Sequence, residues 1–445
     1  MKKTILTFAL SFILCLTAFA QNENDFIFDG NGTITGYNGQ ETSIIIPAKI
    51  GGVPVTAIGA NSFSKKNLTS IIFPDSITII GEWSLNVNKL TSVILPDNLV
   101  SIGRGAFAGN QLTSIIIPDG VTTIENNVFQ GNELTSITLP DSIITIKPNA
   151  FTRNKLTSVI IPDSVTEIGG DAFSQNQLIS VELSSNLKYI GSYAFDRNQL
   201  TSIIIPVGVT AFGWNAFSQN QLTSITLPDS VISIGDRAFL ENRLTSVDIP
   251  NSVTSIGEKA FARNQISSLK LSNNLITINN EVFSGNRLTS VTIPDSVTSI
   301  GDHAFSGNRL TSIILSKNIT SIGQYAFTGG QLTSLIIPDS VLQIYEGAFD
   351  RNQLTSVSIG KNVTYIGHNA FARNRLASIS LPESINTIAE SAFFENRLTK
   401  IIIGENVTLE RGFNTAITYD FDDYYNSNGK KPGSYVYEGG QWLME

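Results

Sequence analysis

The hydrophobic positions of this chain recur with a single period. The tripeptide Leu-Thr-Ser, or a near variant, begins at Leu68 and returns every 22 residues as far as Leu398. That makes sixteen anchors with no insertion or deletion between them; Ile266 is the one anchor that is not Leu. With the anchor numbered 0, apolar residues recur at positions 0, 3, 5, 9, 12 and 17 of each coil. Position 17 is Phe from Phe63 to Phe393, except at Leu85. Position 6 is usually Pro, as at Pro74, Pro96, Pro118 and Pro294, and position 13 is often Gly, as at Gly81, Gly103, Gly169 and Gly301. Position 20 is Asn except at Lys66 and Gly330.

This pattern predicts two short extended segments per coil. Positions 2 to 5 alternate in polarity and are rich in β-branched residues, as a strand requires. Pro at position 6 has no N–H for a ladder and ends that strand; the Asp and Ser that follow suit a turn. A second extended segment follows around position 12. Gly at position 13 is expected to permit a sharp corner. The Ala-Phe pair is expected in a short helical turn with its ring inward. The regular Asn is expected to be buried, bonded to backbone groups of adjacent coils. One coil cannot bury its own apolar face, but stacking makes a continuous core. The expectation is a mostly β solenoid of parallel strands, about 75 Å long at about 4.8 Å per coil.

The pattern Leu-x-x-Ile-x-Ile-Pro-x-x-Val-x-x-Ile-Gly-x-x-Ala-Phe resembles the BspA-like leucine-rich repeats, also called the Treponema pallidum type. The resemblance covers roughly residues 26 to 408. Its first unit holds Gly36-Tyr37-Asn38-Gly39, Ile44-Ile45-Ile46-Pro47 and Gly52-Val53-Pro54-Val55, with five extra residues between Pro47 and Gly59. Family repeats are commonly 23 residues with Cys near the last corner; here the unit is 22 with Asn. The resemblance implies a leucine-rich repeat solenoid, surface exposure, and adhesion to host or matrix proteins or to other cells.

The ends read differently from the middle. Lys2 and Lys3 precede an apolar run from Ile5 to Leu16, and Ala18-Phe19-Ala20 forms a small-x-small cleavage site. This is the pattern of a secretory signal peptide cleaved after Ala20; the run is short for a membrane anchor. Cys15, the only cysteine, lies inside it behind Leu14 rather than a small residue, against a lipid anchor. The expected organisation is a signal peptide over 1–20, an N-terminal cap and longer first repeat over 21–67, and the solenoid over 68–408. Phe26, Phe28 and Tyr37 are expected to cover the first coil. The pattern fails at Glu410, where position 12 should be apolar. Residues 409–445, rich in Tyr and holding Trp442, form an aromatic C-terminal cap, with a hairpin suggested by Asn428-Gly429, or a small binding or sorting module. The acidic cluster there, Asp420, Asp422 and Asp423, lacks EF-hand spacing.

Charge and chemistry narrow the function. The formal charge is −8, which argues against nucleic acid as a partner. The two histidines, His303 and His368, fall three coils apart, about 15 Å, too far to share a metal or proton. No nucleophile elbow, zinc motif or phosphate loop occurs. No catalytic residue, cofactor or metal is therefore expected. The outward strand position, 4, carries Ile72, Ile94, Ile116, Ile160, Ile204, Ile314 and Ile336, with Glu182, Asp248 and Lys270 between them. Stacked isoleucines there read either as an interaction stripe or as plain β-propensity. The row Asp75, Asp97, Asp119, Asp141 and Asp163 reads as turn-forming Asp or as a cation site. Arginines at positions 19 and 21 read as a solvated, partly paired edge or an acidic-ligand site. The function expected is a non-enzymatic, secreted or cell-surface protein that binds an extracellular protein or glycan. The alternatives are a self-associating envelope or matrix component and, more weakly, a carbohydrate-active enzyme.

Overall fold

A computed structural model describes residues 22–410 and 421–445. The signal peptide read from residues 1–20, and Tyr419 and Asp420 of the tail, lie outside them. The described chain is a solenoid in which each position stacks on its own copy 22 residues away. Ser114–Ile116 pairs in parallel with Ser136–Thr138, and Thr123–Ile124 with Thr145–Ile146. An unbroken 22-residue spacing leaves no other register, because a slip of one would turn the apolar set outward.

The two ladders differ. The second one, at positions 11 and 12, runs through sheets of five, seven and seven strands. The first, at positions 2 to 4, is divided mainly into pairs of coils. Position 3 follows the same two-coil alternation: Ile115, Val159, Val247 and Val291 are buried, whereas Ile137, Val181, Leu269 and Ile313 are half-buried.

Inside, the rings from Phe107 to Phe393 form one near-parallel stack. Centroids of the pair Phe195 and Phe217 lie 5.3 Å apart, and those of Phe261 and Phe283 5.8 Å. Beside it runs the asparagine column. Asn110 Nδ2 donates to the carbonyls of Leu85 (3.0 Å) and Phe107 (3.1 Å), and its Oδ1 accepts from Leu90 N–H (3.1 Å). Asn132 repeats this one coil on, with Phe107, Phe129 and Leu112. The buried amide thus satisfies a backbone N–H that the corner would otherwise strand and shares each carbonyl with the asparagine of the neighbouring coil, as its regularity implied.

The Ala-Phe segment is not helical. The N–H groups of Gly105, Phe107 and Gly109 donate to Asn126, Val128 and Gln130 one coil on, while Ala106 and Ala108 bond back three residues within the coil. Positions 15 and 19 are left-handed in every coil, for example at Trp83 (φ 50), Val87 (φ 53), Gly105 (φ 61) and Gly109 (φ 68). Two left-handed residues four apart cannot belong to a right-handed helix; they create alternate bonds to the neighbouring coil instead. Gly at position 13 also has another cause than a sharp corner. A Cβ on Gly213 would lie 2.3 Å from Ser192 N, so crowding by the previous coil selects the residue.

At the start, Phe26–Phe28 lies antiparallel on Thr33–Tyr37, and Phe26, Tyr37 and Phe63 pack their rings together, 5.4 to 6.3 Å apart. At the far end the last coil is one residue short: Thr408–Leu409 pairs with Thr387–Ile388, so Leu409 takes the inward place that Glu410 would have held. Lys400–Ile403 then pairs antiparallel with Gly433–Glu438, which folds back onto Gln441–Met444 through Gly439 and Gly440, both left-handed. Asn428-Gly429 does turn, but as the end of the helix Phe421–Ser427. Phe421, Tyr425, Tyr435 and Trp442 are buried beneath these elements.

Candidate functional site

The first strand face is built from the alternation Ser-x-Ile. Position 3 points into the core and positions 2 and 4 point out, since successive side chains of a strand take opposite faces. Ile72, Ile94, Ile116, Ile160, Ile204, Ile314 and Ile336 are all exposed, from 37% at Ile72 to 87% at Ile204. They do not form one stripe. Ile72, Ile94 and Ile116 occupy three consecutive coils, Thr138 and Glu182 flank Ile160, and Ile314 and Ile336 form a separate pair. Between the groups, Lys270 Nζ binds Asp248 Oδ2 at 3.1 Å across adjacent coils.

The middle of this face holds what the repeat pattern concealed. Residues 202–204 and 224–226 are not in strand, although their counterparts on either side are. There the surface opens into two adjoining grooves of about 600 Å³ each, one between Ile204, Val207 and Pro228, the next between Thr226, Asp229, Asn251 and Lys270. Val207 is 82% exposed and Trp214 61%. The signal was available: Val207 stands at a position that is polar in the coils on either side, Ser185 and Asp229, and Phe212 replaces the usual Ile. The Phe212 ring packs edge-on against Phe239 at 5.3 Å. The second face also exposes aliphatic residues, Val100, Ile144, Ile232, Ile276 and Leu342, at a position the sequence reading passed over.

The charged rows resolve in part. Asp163 Oδ1 accepts Ser185 N–H of the next coil at 2.8 Å, so this Asp caps its neighbour's turn rather than its own, and that bond holds its carboxyl below the ordinary range. Farther on, Asp295 pairs with Lys317 (2.8 Å) and Asp339 with Lys361 (3.4 Å). Among the described residues no three His, Cys, Asp or Glu side chains are placed to hold a metal. His303 is exposed and stacks on Tyr325 at 5.1 Å; His368 is half-buried. Of the arginines at position 19, Arg263 binds Glu241 at 2.7 Å and Arg373 binds the buried Asp350 at 3.0 Å. Burial raises the Asp350 carboxyl, opposed by Arg373, and likewise raises Asp196, opposed by the Ser218 hydroxyl.

The profile described as BspA type leucine rich repeat region (6 copies) matches residues 56–180, 122–242, 188–310 and 298–411. The chain belongs to the BspA-type leucine-rich repeat family. Among solved structures this BspA-type chain is similar to a leucine-rich repeat protein from Bacteroides ovatus: 21% identity, TM-score 0.46, covering 86% of this chain and 88% of the other. It is similar to YopM from Yersinia enterocolitica at 22% identity and TM-score 0.49, over 80% and 72% of the two chains. A leucine rich cell surface protein from Faecalibacterium prausnitzii is 26% identical, with TM-score 0.41, over 77% and 95%. No curated protein matches the sequence significantly. Among the described residues, no helix is long and apolar enough to cross a membrane.

Proposed function

We propose that this BspA-type chain is an exported bacterial, non-enzymatic binding protein that engages an extracellular protein through its first strand face, in adhesion to matrix or host proteins or to other cells. The observation that carries the reading is the row Ile72, Ile94 and Ile116, with Ile160, Ile204, Ile314 and Ile336 as its outlying members, exposed at the same position of stacked coils. Apolar side chains held rigidly in file present contact area with little entropy left to lose on binding, and exposed apolar patches of this kind mark interaction sites. Family membership supports adhesion as the use of that surface, and the leader-like first twenty residues support export. Residues 21–67 and 409–445 serve as the caps that keep the ends of the core from water.

The test is binding of the mature chain to immobilised extracellular-matrix proteins and glycans, beside an Ile72/Ile94/Ile116→Ser variant with an unchanged thermal melt. Saturable binding that drops at least tenfold in the variant is expected. Failure of both proteins to bind, with oligomers formed by the wild type and not by the variant, would replace adhesion by self-association through the same row.

A further inference from the structure

A second surface, distinct from the isoleucine row, lies at the corner just before the first strand. Position 21 there carries Arg243, Arg287, Arg309, Arg375 and Arg397, all exposed. Among the described residues none of the five is in an ion pair, whereas the arginines at position 19 are largely committed: Arg263 to Glu241, Arg351 and Arg373 to Asp350. Glu241 and Glu395, two residues before Arg243 and Arg397, contact Arg263 and Arg373 respectively.

Side chains at position 21 of adjacent coils reach one another: Lys155 and Glu133, which occupy it in the first half, form an ion pair. Arg287 and Arg309 therefore stand side by side, as do Arg375 and Arg397, and like charges in adjacent register are unfavourable unless an anion lies between them. Seven coils separate Arg243 from Arg397, a file of about 34 Å at about 4.8 Å per coil. Alongside it run exposed serine hydroxyls at position 2, from Ser246 to Ser378, and mostly Thr at position 1. No aromatic residue occupies positions 21, 1, 2 or 4 between Arg243 and Ile402.

We propose that this edge binds a linear anionic glycan, a sulfated or uronic-acid chain laid along the five arginines. Guanidinium forks match sulfate and carboxylate groups, and the hydroxyl row offers donors and acceptors to sugar hydroxyls along its length. The absence of aromatic platforms disfavours single-stranded nucleic acid. The row of hydroxyls and guanidinium groups carries no aromatic anchor of the kind a protein hot spot favours, and the exposed Ile314 and Ile336 lie beside it at position 4 rather than within it. The site is separate from Ile72, Ile94 and Ile116, so loss of either activity leaves the other standing.

The experiment titrates fluorescently labelled heparin decasaccharide, oligogalacturonate and neutral dextran against the mature chain at low and physiological salt. The Arg287/Arg309/Arg375/Arg397→Gln variant is compared with a charge-matched Lys147/Arg153/Lys188/Arg197→Gln variant. Gln already occupies position 21 at Gln265, Gln331 and Gln353, so the first variant should fold normally, checked by its thermal melt. Expected are salt-sensitive binding of one or both anionic glycans, none of dextran, and a tenfold or greater rise in Kd for the first variant alone. Heparin binding without oligogalacturonate binding would assign sulfate; the reverse would assign uronate. No binding of either anion at low salt, equal loss in both variants, or equally tight binding of polyglutamate or single-stranded DNA would overturn the proposal.

Discussion

The two halves of the solenoid share an interior and differ outside. From Leu90 to Leu200 and from Leu222 to Leu398 the cross-section is the same: an aliphatic anchor (Leu, once Ile266), stacked Phe and buried Asn, with a single Asn gap at Gly330. Outside, the first half carries consecutive isoleucines and the row Asp75 to Asp163. The second half replaces alternate Asp by Lys317 and Lys361, which pair with Asp295 and Asp339, and sets unpaired arginines at the corner. The interior is tied to both neighbours and so cannot vary coil by coil. An exposed position touches mainly its own row and can diverge without disturbing the stack. Function is therefore expected to follow the halves, and stability to ignore them.

The strongest way to break this comparison is to remove one asparagine from each half. Asn132→Ala strands Leu112 N–H and removes one of the two amide donors to the carbonyls of Phe107 and Phe129, which keep Asn110 and Asn154; Asn286→Ala does the same to Ile266 N–H and to Phe261 and Phe283, which keep Asn264 and Asn308. Each should cost about 2 kcal/mol, from the one buried N–H left without a partner and the carbonyl bonds lost. Urea unfolding with hydrogen exchange of the flanking amides would measure it. Costs that differ by several-fold would mean that the halves do not share one interior.

A smaller effect in the opposite direction is expected at Val87, a β-branched residue held at φ 53 where Gly109 and Gly131 occupy the same position in the next coils. Val87→Gly should stabilise by about 1 kcal/mol, the scale of the left-handed penalty, read as a rise in urea midpoint. No change would show that packing of the Val87 side chain offsets its backbone strain.

The finest test concerns two carboxylates at the middle of the chain. Burial raises the Asp196 carboxyl above its ordinary 3.8, so the folded state favours the protonated form. Its contribution to stability is present below the ordinary carboxylate range and is lost as pH rises through the raised value. Asp196→Asn should accordingly stabilise the protein at neutral pH, with the advantage fading in acid. Asp163, lowered by the Ser185 N–H, has the opposite sign: its contribution holds at neutral pH and is lost as pH falls. Thermal melts of Asp196→Asn and Asp163→Asn across pH 3 to 7 should therefore diverge in opposite directions; parallel curves would remove both assignments.

Much of this was legible without coordinates. The 22-residue spacing gave register, core and the role of Asn132 and its equivalents, because an unbroken period forces each residue onto its own copy. The outward row at Ile72, Ile94 and Ile116 was legible for the same reason. The left-handed turns were not, since Trp83, Val87 and Tyr193 stand where propensity predicts no left-handed residue, and only the bonds between coils hold them there. Nor was the last coil, where Glu410 looked like the end of the pattern but the chain had lost one residue and Leu409 filled the gap. The grooves beside Ile204 and Val207 had a signal in the apolar Val207 at a position that is polar in the coils on either side, but no periodic argument gives a depression a shape.

The sequence by itself determined the coil, its period and its inward side chains, because these depend on spacing along the chain. Tertiary structure alone decided which groups lie side by side between coils: Lys270 on Asp248, Arg373 on Asp350, and the file of arginines left without partners. Those relations depend on distances of a few ångströms between residues 22 positions apart, and such distances exist only once the coils are stacked.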